Sequence, residues 1–165
     1  MRANTLIRSA SLQDLQAITD IYNHAIRSTT STFDVEEKSI EDRRLWLESH
    51  SEQYPIIVAT VGGEVVGWGS LSPYADRKAY EHTVENAVYV RDDIQARGIG
   101  RAILKELIAL ASRLGYHCII AQVVGGNKKS LRLHERQGFQ RVGLLKEVGW
   151  KFGKWLDLVV MQKML

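Results

Sequence analysis

The spacing of apolar residues along this chain switches between the two-residue interval of strands and the three-to-four interval of helices. Residues 5–8 read as a short strand. From Ser11 onward, apolar residues recur at Leu12, Leu15, Ile18, Ile21 and Tyr22, the pattern of a helix with one buried face. Ser11 followed three residues later by Asp14 approximates a capping box, in which each side chain satisfies the other's backbone N–H. A second helix is predicted over 40–49. Strands over 56–61 and 65–71 are joined by Gly62-Gly63-Glu64, a hairpin signal, and 83–90 is a third strand. The clearest helix covers 100–114, with Ile103, Leu104, Leu107, Ile108, Ala111 and Leu114 on one face. Gly115 is placed to end it in the left-handed conformation. A strand over 118–124, a helix over 128–137 and strands over 144–148 and 156–162 complete the order. This is a mixed α/β pattern in which helices cover a central sheet. No internal repeat, low-complexity run or linker interrupts it, so residues 1–165 read as one domain.

Composition narrows the function classes. The 165 residues are 45% hydrophobic and 25% charged, ordinary for a globular protein. The net charge of +3, from 22 basic and 19 acidic residues, is not gathered into a basic run or face of the kind that nucleic-acid binders carry. It favours an anionic small ligand over a cationic one. The single cysteine, Cys118, lies in an apolar run and is expected as a core thiol; it allows neither an internal disulfide nor a cysteine metal cluster. The other histidines, His24, His50, His82 and His117, have no spacing that suggests a metal site. No segment has the apolar length of a signal peptide or membrane span, so a cytoplasmic location is expected, with no membrane partner.

One segment carries recognisable chemistry. Residues 88–101 run from a strand through Gln95-Ala96-Arg97-Gly98-Ile99-Gly100-Arg101 into the long amphipathic helix. A helix N-terminus offers unpaired backbone N–H groups and a positive dipole end, which together make an anion site. Gly98 and Gly100 allow close backbone approach, while Arg97 and Arg101 can add charge-assisted bonds. The competing reading is two glycines in a tight loop. Other glycine loops are excluded: Ile103 stands where a Rossmann fingerprint needs Gly or Ala, and 125–130 lacks P-loop spacing.

The segment Gln95-Ala96-Arg97-Gly98-Ile99-Gly100 resembles the Q/R-x-x-G-x-G/A motif of the GNAT superfamily of N-acetyltransferases, with Asn127, Ser130 and Gly138-Phe139 following in the family's order. A narrower resemblance is to the phosphinothricin and methionine sulfoximine (methionine sulfone) acetyltransferase branch. It is carried by residues 77–90 (RKAYEHTVENAVYV), by Leu133-His134-Glu135 and by residues 149–157 (GWKFGKWLD). Asn86 and Ala87 depart from it, standing where relatives often carry Ser or His. Lys128-Lys129 likewise replace small residues.

The resemblance implies a GNAT-like α/β fold with a mixed, mostly antiparallel central sheet flanked by helices on both faces. It also implies acetyl-CoA as co-substrate, a small-molecule amine acceptor and a homodimer, with no metal. It places coenzyme contacts at Val88, Tyr89, Val90, Gln95, Ala96, Arg97, Gly98, Ile99, Gly100, Arg101, Asn127 and Ser130. Acceptor contacts fall at Ala75, Asp76, Arg77, Glu85, Asn86 and Ala87.

Glu85 is the expected general base, because an ammonium must lose a proton before it can attack and a carboxylate in an apolar segment is costly without a task. The alternative is an ion pair with Arg77 or Lys78. Val88, Tyr89 and Val90 are expected to contribute backbone, their side chains being core. His134 is expected near the coenzyme sulfur as proton donor or relay; the alternative is a hydrogen-bonded structural histidine. Asn127 can equally be an N-cap. Arg77 suits a carboxylate or phosphinate, or is simply solvated. Phe33, Tyr74, Trp150, Phe152 and Trp155 are expected either to wall the acceptor pocket or a dimer contact, or to sit in the core. The function expected is direct transfer of acetyl to the α-amine of methionine sulfoximine, methionine sulfone or phosphinothricin. The alternatives are a GNAT enzyme acting on another amine (a protein N-terminus, polyamine or antibiotic) and a non-catalytic acetyl-CoA-binding module.

Overall fold

The structure is a computed structural model that describes residues 4–94 and 98–165. Its strands are β1 (Thr5–Ser9), β2 (Ile56–Val61), β3 (Glu64–Pro73), β4 (Thr83–Val90), β5 (Cys118–Val124), β6 (Gln140–Lys151) and β7 (Lys154–Met164). Its α-helices are α1 (Leu15–Ser28), α2 (Ile40–Ser49), α3 (Ile99–Arg113) and α4 (Lys128–Arg136). The seven strands form one sheet in the order β1-β2-β3-β4-β5-β7-β6, antiparallel everywhere except between β4 and β5. The mixed, mostly antiparallel α/β architecture expected from the sequence is the one observed.

Alternation along β4 sorts the two sides of the sheet, since successive strand residues face opposite ways. Val84, Val88 and Val90 pack with Ile99, Ile103, Leu104 and Leu107 of α3 and Leu131 of α4. Ala87 and Tyr89 pack with Ile18 and Ile21 of α1, Trp68 of β3 and Trp46 of α2. Helices α3 and α4 therefore cover one face, and α1 and α2 the other.

Arg43 of α2 is buried behind Tyr89. Its guanidinium lies 3.6 Å from the ring centroid of Trp46, 4.6 Å from that of Tyr22 and 5.2 Å from that of Trp68. Trp68 in turn stacks on Tyr89 at 4.9 Å. Burial lowers the Arg43 pKa to about 10, which still leaves it charged at neutral pH.

Most predicted elements stand where expected, with three instructive differences. The first helix begins as a single 3-10 turn at Leu12–Asp14, because buried Asp14 accepts two bonds from Arg8 at 2.7 Å and one from the Ser11 N–H at 2.8 Å. The first hairpin loop is only Gly62-Gly63, both at positive φ, the geometry of a two-residue primed turn. Strand β6 runs 12 residues rather than five. It is an edge strand whose apolar side chains point to solvent without alternation, and its register shifts at Glu147, which has φ 51°. Gly115 ends α3 at φ 82° as expected, and Cys118 is buried.

Helix α3 approaches β3 so closely that Gly69 has no room for a side chain. A Cβ there would lie 2.5 Å from Ile103 Cγ2 and 2.9 Å from the Ala87 carbonyl oxygen. Gly69→Ala is therefore expected to destabilise the fold by about 1–3 kcal/mol, read as a lower denaturation midpoint at unchanged m-value.

Candidate active site

Pairing between β4 and β5 joins Thr83, Val84 and Glu85 to Cys118, Ile119 and Ile120, and among the described residues it goes no further. Beyond Glu85 the two strands part. Residues 86–90 remain paired to β3 on one edge, while their other edge faces a cleft of about 1900 Å³ bordered by 121–124 of β5. Unpaired strand N–H and C=O groups form a hydrogen-bonding edge that an extended, amide-containing ligand can complete.

The other walls suit an anion. The N-terminus of α3 opens on the cleft through Gly98, Ile99, Gly100 and Arg101. Gly98 is in the left-handed conformation at φ 81°, which lets the chain turn into the helix and leaves the first-turn N–H groups without intrahelical acceptors. A Cβ on Gly100 would make only ordinary contacts with Leu133, Val90 and Val88, so packing alone does not demand a glycine there. Lys128, Lys129, Arg132 and Arg136 of α4 also line the cleft. Gln95, Ala96 and Arg97 lie outside the described residues.

Glu85 stands at the point where the strands part. Its carboxylate accepts a hydrogen bond from Gln122 Nε2 at 3.1 Å. Burial pushes its pKa above the ordinary carboxylate value, and the Gln122 bond opposes that shift. Among the described residues no ion pair joins it to Arg77 or Lys78, and Lys78 pairs with Glu81 at 2.5 Å. Gln122 escaped the sequence reading because only the strand register brings it beside Glu85.

On the opposite face of β4, Asn86 meets α4. Its Nδ2 lies 3.0 Å from His134 Nε2, and His134 Nδ1 lies 2.8 Å from the Ser130 carbonyl oxygen. A carbonyl only accepts, so Nδ1 carries the proton and Nε2 is the acceptor for Asn86. His134 is 4% exposed, and burial lowers its pKa, keeping it neutral. In this arrangement neither ring nitrogen presents a proton to the cleft. Asn127 caps α4, its side chain accepting from the Ser130 N–H at 3.1 Å.

Of the described residues expected to bind or react, Glu85, Asn86, Ala87, Val88, Tyr89, Val90, Gly98, Ile99, Gly100, Arg101, Asn127, Ser130 and His134 all line this one cleft. Ala75, Asp76 and Arg77 do not. They occupy the loop after β3, with Asp76 and Arg77 exposed. The 29–31 segment after α1 also borders the cleft, a contribution with no local signal in the sequence. Phe33, Tyr74, Trp150, Phe152 and Trp155 lie outside the cleft lining and are all substantially exposed.

A parted parallel strand pair, a helix start that suits an anion and a carboxylate at the apex fit an acyltransferase whose acyl carrier bears phosphate. The chain belongs to the GNAT acetyltransferase family, whose acetyltransferase (GNAT) domain matches residues 7–160, and it is an N-acetyltransferase. It is 40% identical to an L-methionine sulfoximine/L-methionine sulfone acetyltransferase of Pseudomonas paraeruginosa, over 94% of this chain and 92% of that protein. A GNAT superfamily phosphinothricin acetyltransferase from Sinorhizobium meliloti, solved in complex with acetyl-CoA, superposes with TM-score 0.95 at 34% identity. That match spans 100% of this chain and 89% of that one. The crystal structure of a ribosomal-protein-alanine N-acetyltransferase from Brucella melitensis matches with TM-score 0.95 at 42% identity, over 97% and 99% of the two chains.

Forcing position 98 out of its left-handed conformation is expected to misplace the start of α3. Gly98→Val should weaken acetyl-CoA binding by at least about fivefold, given a strain of roughly 1–3 kcal/mol, with titration calorimetry as the measurement.

Proposed function

We propose that this protein acetylates the α-amine of a small amino-acid-like acceptor, of the methionine sulfoximine, methionine sulfone or phosphinothricin type, by direct transfer. The observation that carries the reading is Glu85: a carboxylate of raised pKa at the apex of the cleft. It faces the α1/α2 side while the coenzyme-binding helices α3 and α4 lie on the other. Acetyl-CoA supplies the acetyl group as a thioester, an electrophile that needs no further activation by a covalent enzyme intermediate. Residues 98–101 and the basic side chains of α4 hold its phosphates, and the unpaired edge of 86–90 holds its arm. Backbone N–H groups of Val88 and Val90, on the strand edge turned away from β3, hold charge that builds on the carbonyl oxygen. The Tyr89 N–H points to β3 instead, in the alternation that puts the Arg91 N–H on the Val66 carbonyl. Glu85 removes the ammonium proton, directly or through one water, and gives the amine its lone pair. Holding the reactants in register supplies much of the rate. Arg77, with Ala75 and Asp76, stands outside the cleft lining on the loop ahead of β4, its guanidinium matched to a carboxylate or phosphinate of an acceptor that extends past the cleft.

The name of one relative favours a second acceptor class, since the Brucella melitensis protein is named a ribosomal-protein-alanine N-acetyltransferase. A panel of methionine sulfoximine, phosphinothricin, other amino acids, polyamines and short peptides separates the two. Turnover confined to the first two supports the proposal; turnover on peptides alone replaces it.

The protein works as a cytoplasmic homodimer in this reading. Edge strand β6 leaves Val142, Leu144, Leu145, Val148 and Trp150 about half exposed, with Trp155 of β7 beside them. A monomer seldom leaves a run of this kind uncovered, and an open edge strand invites pairing with another copy. A Leu144→Glu, Val148→Lys double variant is expected to sediment as a monomer where the parent sediments as a dimer.

Glu85→Gln keeps the acceptor for Gln122 but cannot take a proton. Its kcat is expected to fall about 10²–10⁴-fold. In the parent, activity should rise with pH as Glu85 ionises, with a midpoint above ordinary carboxylate values, and the variant should lose that limb. A raised folded-state pKa means that the stability Glu85 contributes is present at low pH and lost as pH rises through that value. The variant should therefore melt no lower than the parent at neutral pH, which separates lost chemistry from lost folding.

A further inference from the structure

The polar network on the coenzyme side of β4 is complete except at one atom. Asn86 Oδ1 is buried and has no donor among the described residues. Its orientation is fixed, because Nδ2 donates to His134 Nε2 at 3.0 Å and the histidine's other nitrogen is committed to the Ser130 carbonyl. Phe139 meets the imidazole edge-on, with ring centroids 5.0 Å apart, and limits its rotation. Turning the amide over would set two acceptors, Oδ1 and the Nε2 lone pair, against each other. Asn86 is only 8% exposed, yet it lines the cleft. A buried oxygen without a donor is costly, and the cleft is the direction from which a donor can come.

Position along the strand identifies the donor. The anion-binding end of the cleft lies by Val90, where Gly100 approaches Val88 and Val90. Asn86 lies at the other end, next to the point where β4 and β5 part. A coenzyme arm laid along 86–90 from the phosphate end brings its thioester end to Asn86. The nearest donor in that arm is the amide N–H adjacent to the thioethyl group. The acceptor ammonium is a poor alternative, since Glu85 faces away from Asn86 across the strand.

We propose that Asn86 Oδ1 accepts the hydrogen bond of the coenzyme amide N–H nearest the thioester. His134 is then a positioning residue that locks the Asn86 carboxamide, not the proton donor to the leaving thiol. The proposal rests on the reading of the protein as an acetyl-CoA enzyme and deepens it. Asn86 belongs to the coenzyme's site rather than to the acceptor's.

Two ligands and direct binding test it. Calorimetric titration of the parent with acetyl-CoA, and with an analogue carrying an ester oxygen in place of that amide N–H, is expected to show about tenfold weaker binding of the ester. Asn86→Leu should abolish the difference by weakening only the amide ligand. Equal binding of the two ligands by the parent overturns the proposal, and so does a tenfold preference retained in the leucine variant. Failure of the parent to bind acetyl-CoA at all would instead overturn the acetyl-CoA reading beneath it. His134→Phe tests the lock. Its amide-over-ester preference should shrink, and His134→Gln, whose side-chain oxygen can accept the same bond, should restore part of it. Unchanged coenzyme binding in His134→Phe, with a lower kcat and a lost basic limb in the pH profile, would make His134 the proton donor and overturn its positioning role. If Asn86→Leu does not fold, Asn86→Ala read at the same two ligands serves, and the parent comparison stands by itself.

Discussion

Strands β4 and β5 run parallel, share three register pairs and then part. Opening a sheet in its middle gives up backbone hydrogen bonds, each worth roughly 0.5–1.5 kcal/mol net, so both strands must be held from elsewhere. Strand β3 pairs with β4 over seven positions, and β7 pairs with β5 over its whole length. The opening is therefore flanked by two continuous ladders. Close approach of α3, made possible by glycines at 67 and 69, clamps one side of the parted strand.

The other side is clamped by charge buried among rings. Arg43 lies under a box of Tyr22, Trp46 and Trp68, and Trp68 stacks on Tyr89 of the parted strand. Neither Arg43 Nε nor Nη2 finds an acceptor among the described residues. Cation–π contacts, worth up to about 2 kcal/mol or more when desolvated, offset part of that cost. Lys151 is a second buried cation. Its Nζ donates to the Thr32 carbonyl at 2.8 Å and ties the segment after α1 to the β6–β7 hairpin. Phe33 of that segment fits against Gly149 of β6, where a Cβ would lie 2.7 Å from the ring. Residues 29–31, which border the cleft, are thus anchored by contacts well away from it.

Because neighbouring residues of a strand face opposite ways, the cleft has two chemically different sides. Glu85 and Gln122 serve the face covered by α1 and α2. Asn86, His134 and Ser130 form a chain of hydrogen bonds on the face covered by α3 and α4. A carboxylate and a carboxamide can therefore sit on adjacent residues and face different partners.

Most elements and their order were legible in the sequence: α2, β2, β4 and β5 run over the predicted residues. The turn into α3 was legible too, since Gly98-Ile99-Gly100 before an amphipathic helix has a local physical meaning. Strand β6 was read short because an edge strand with both faces near solvent leaves no alternating pattern. Glu85 was legible as an anomaly, a carboxylate in an apolar run, but its partner was not. Gln122 is 37 residues away and becomes a neighbour only through the register of β4 against β5. His134 could be read as a donor or as a structural group, and the sequence left both open. The tertiary structure set its tautomer, because hydrogen-bond direction depends on which carbonyl and which amide the fold brings within 3 Å. Local patterning thus determined what each segment would become. Long-range pairing decided which side chains would meet.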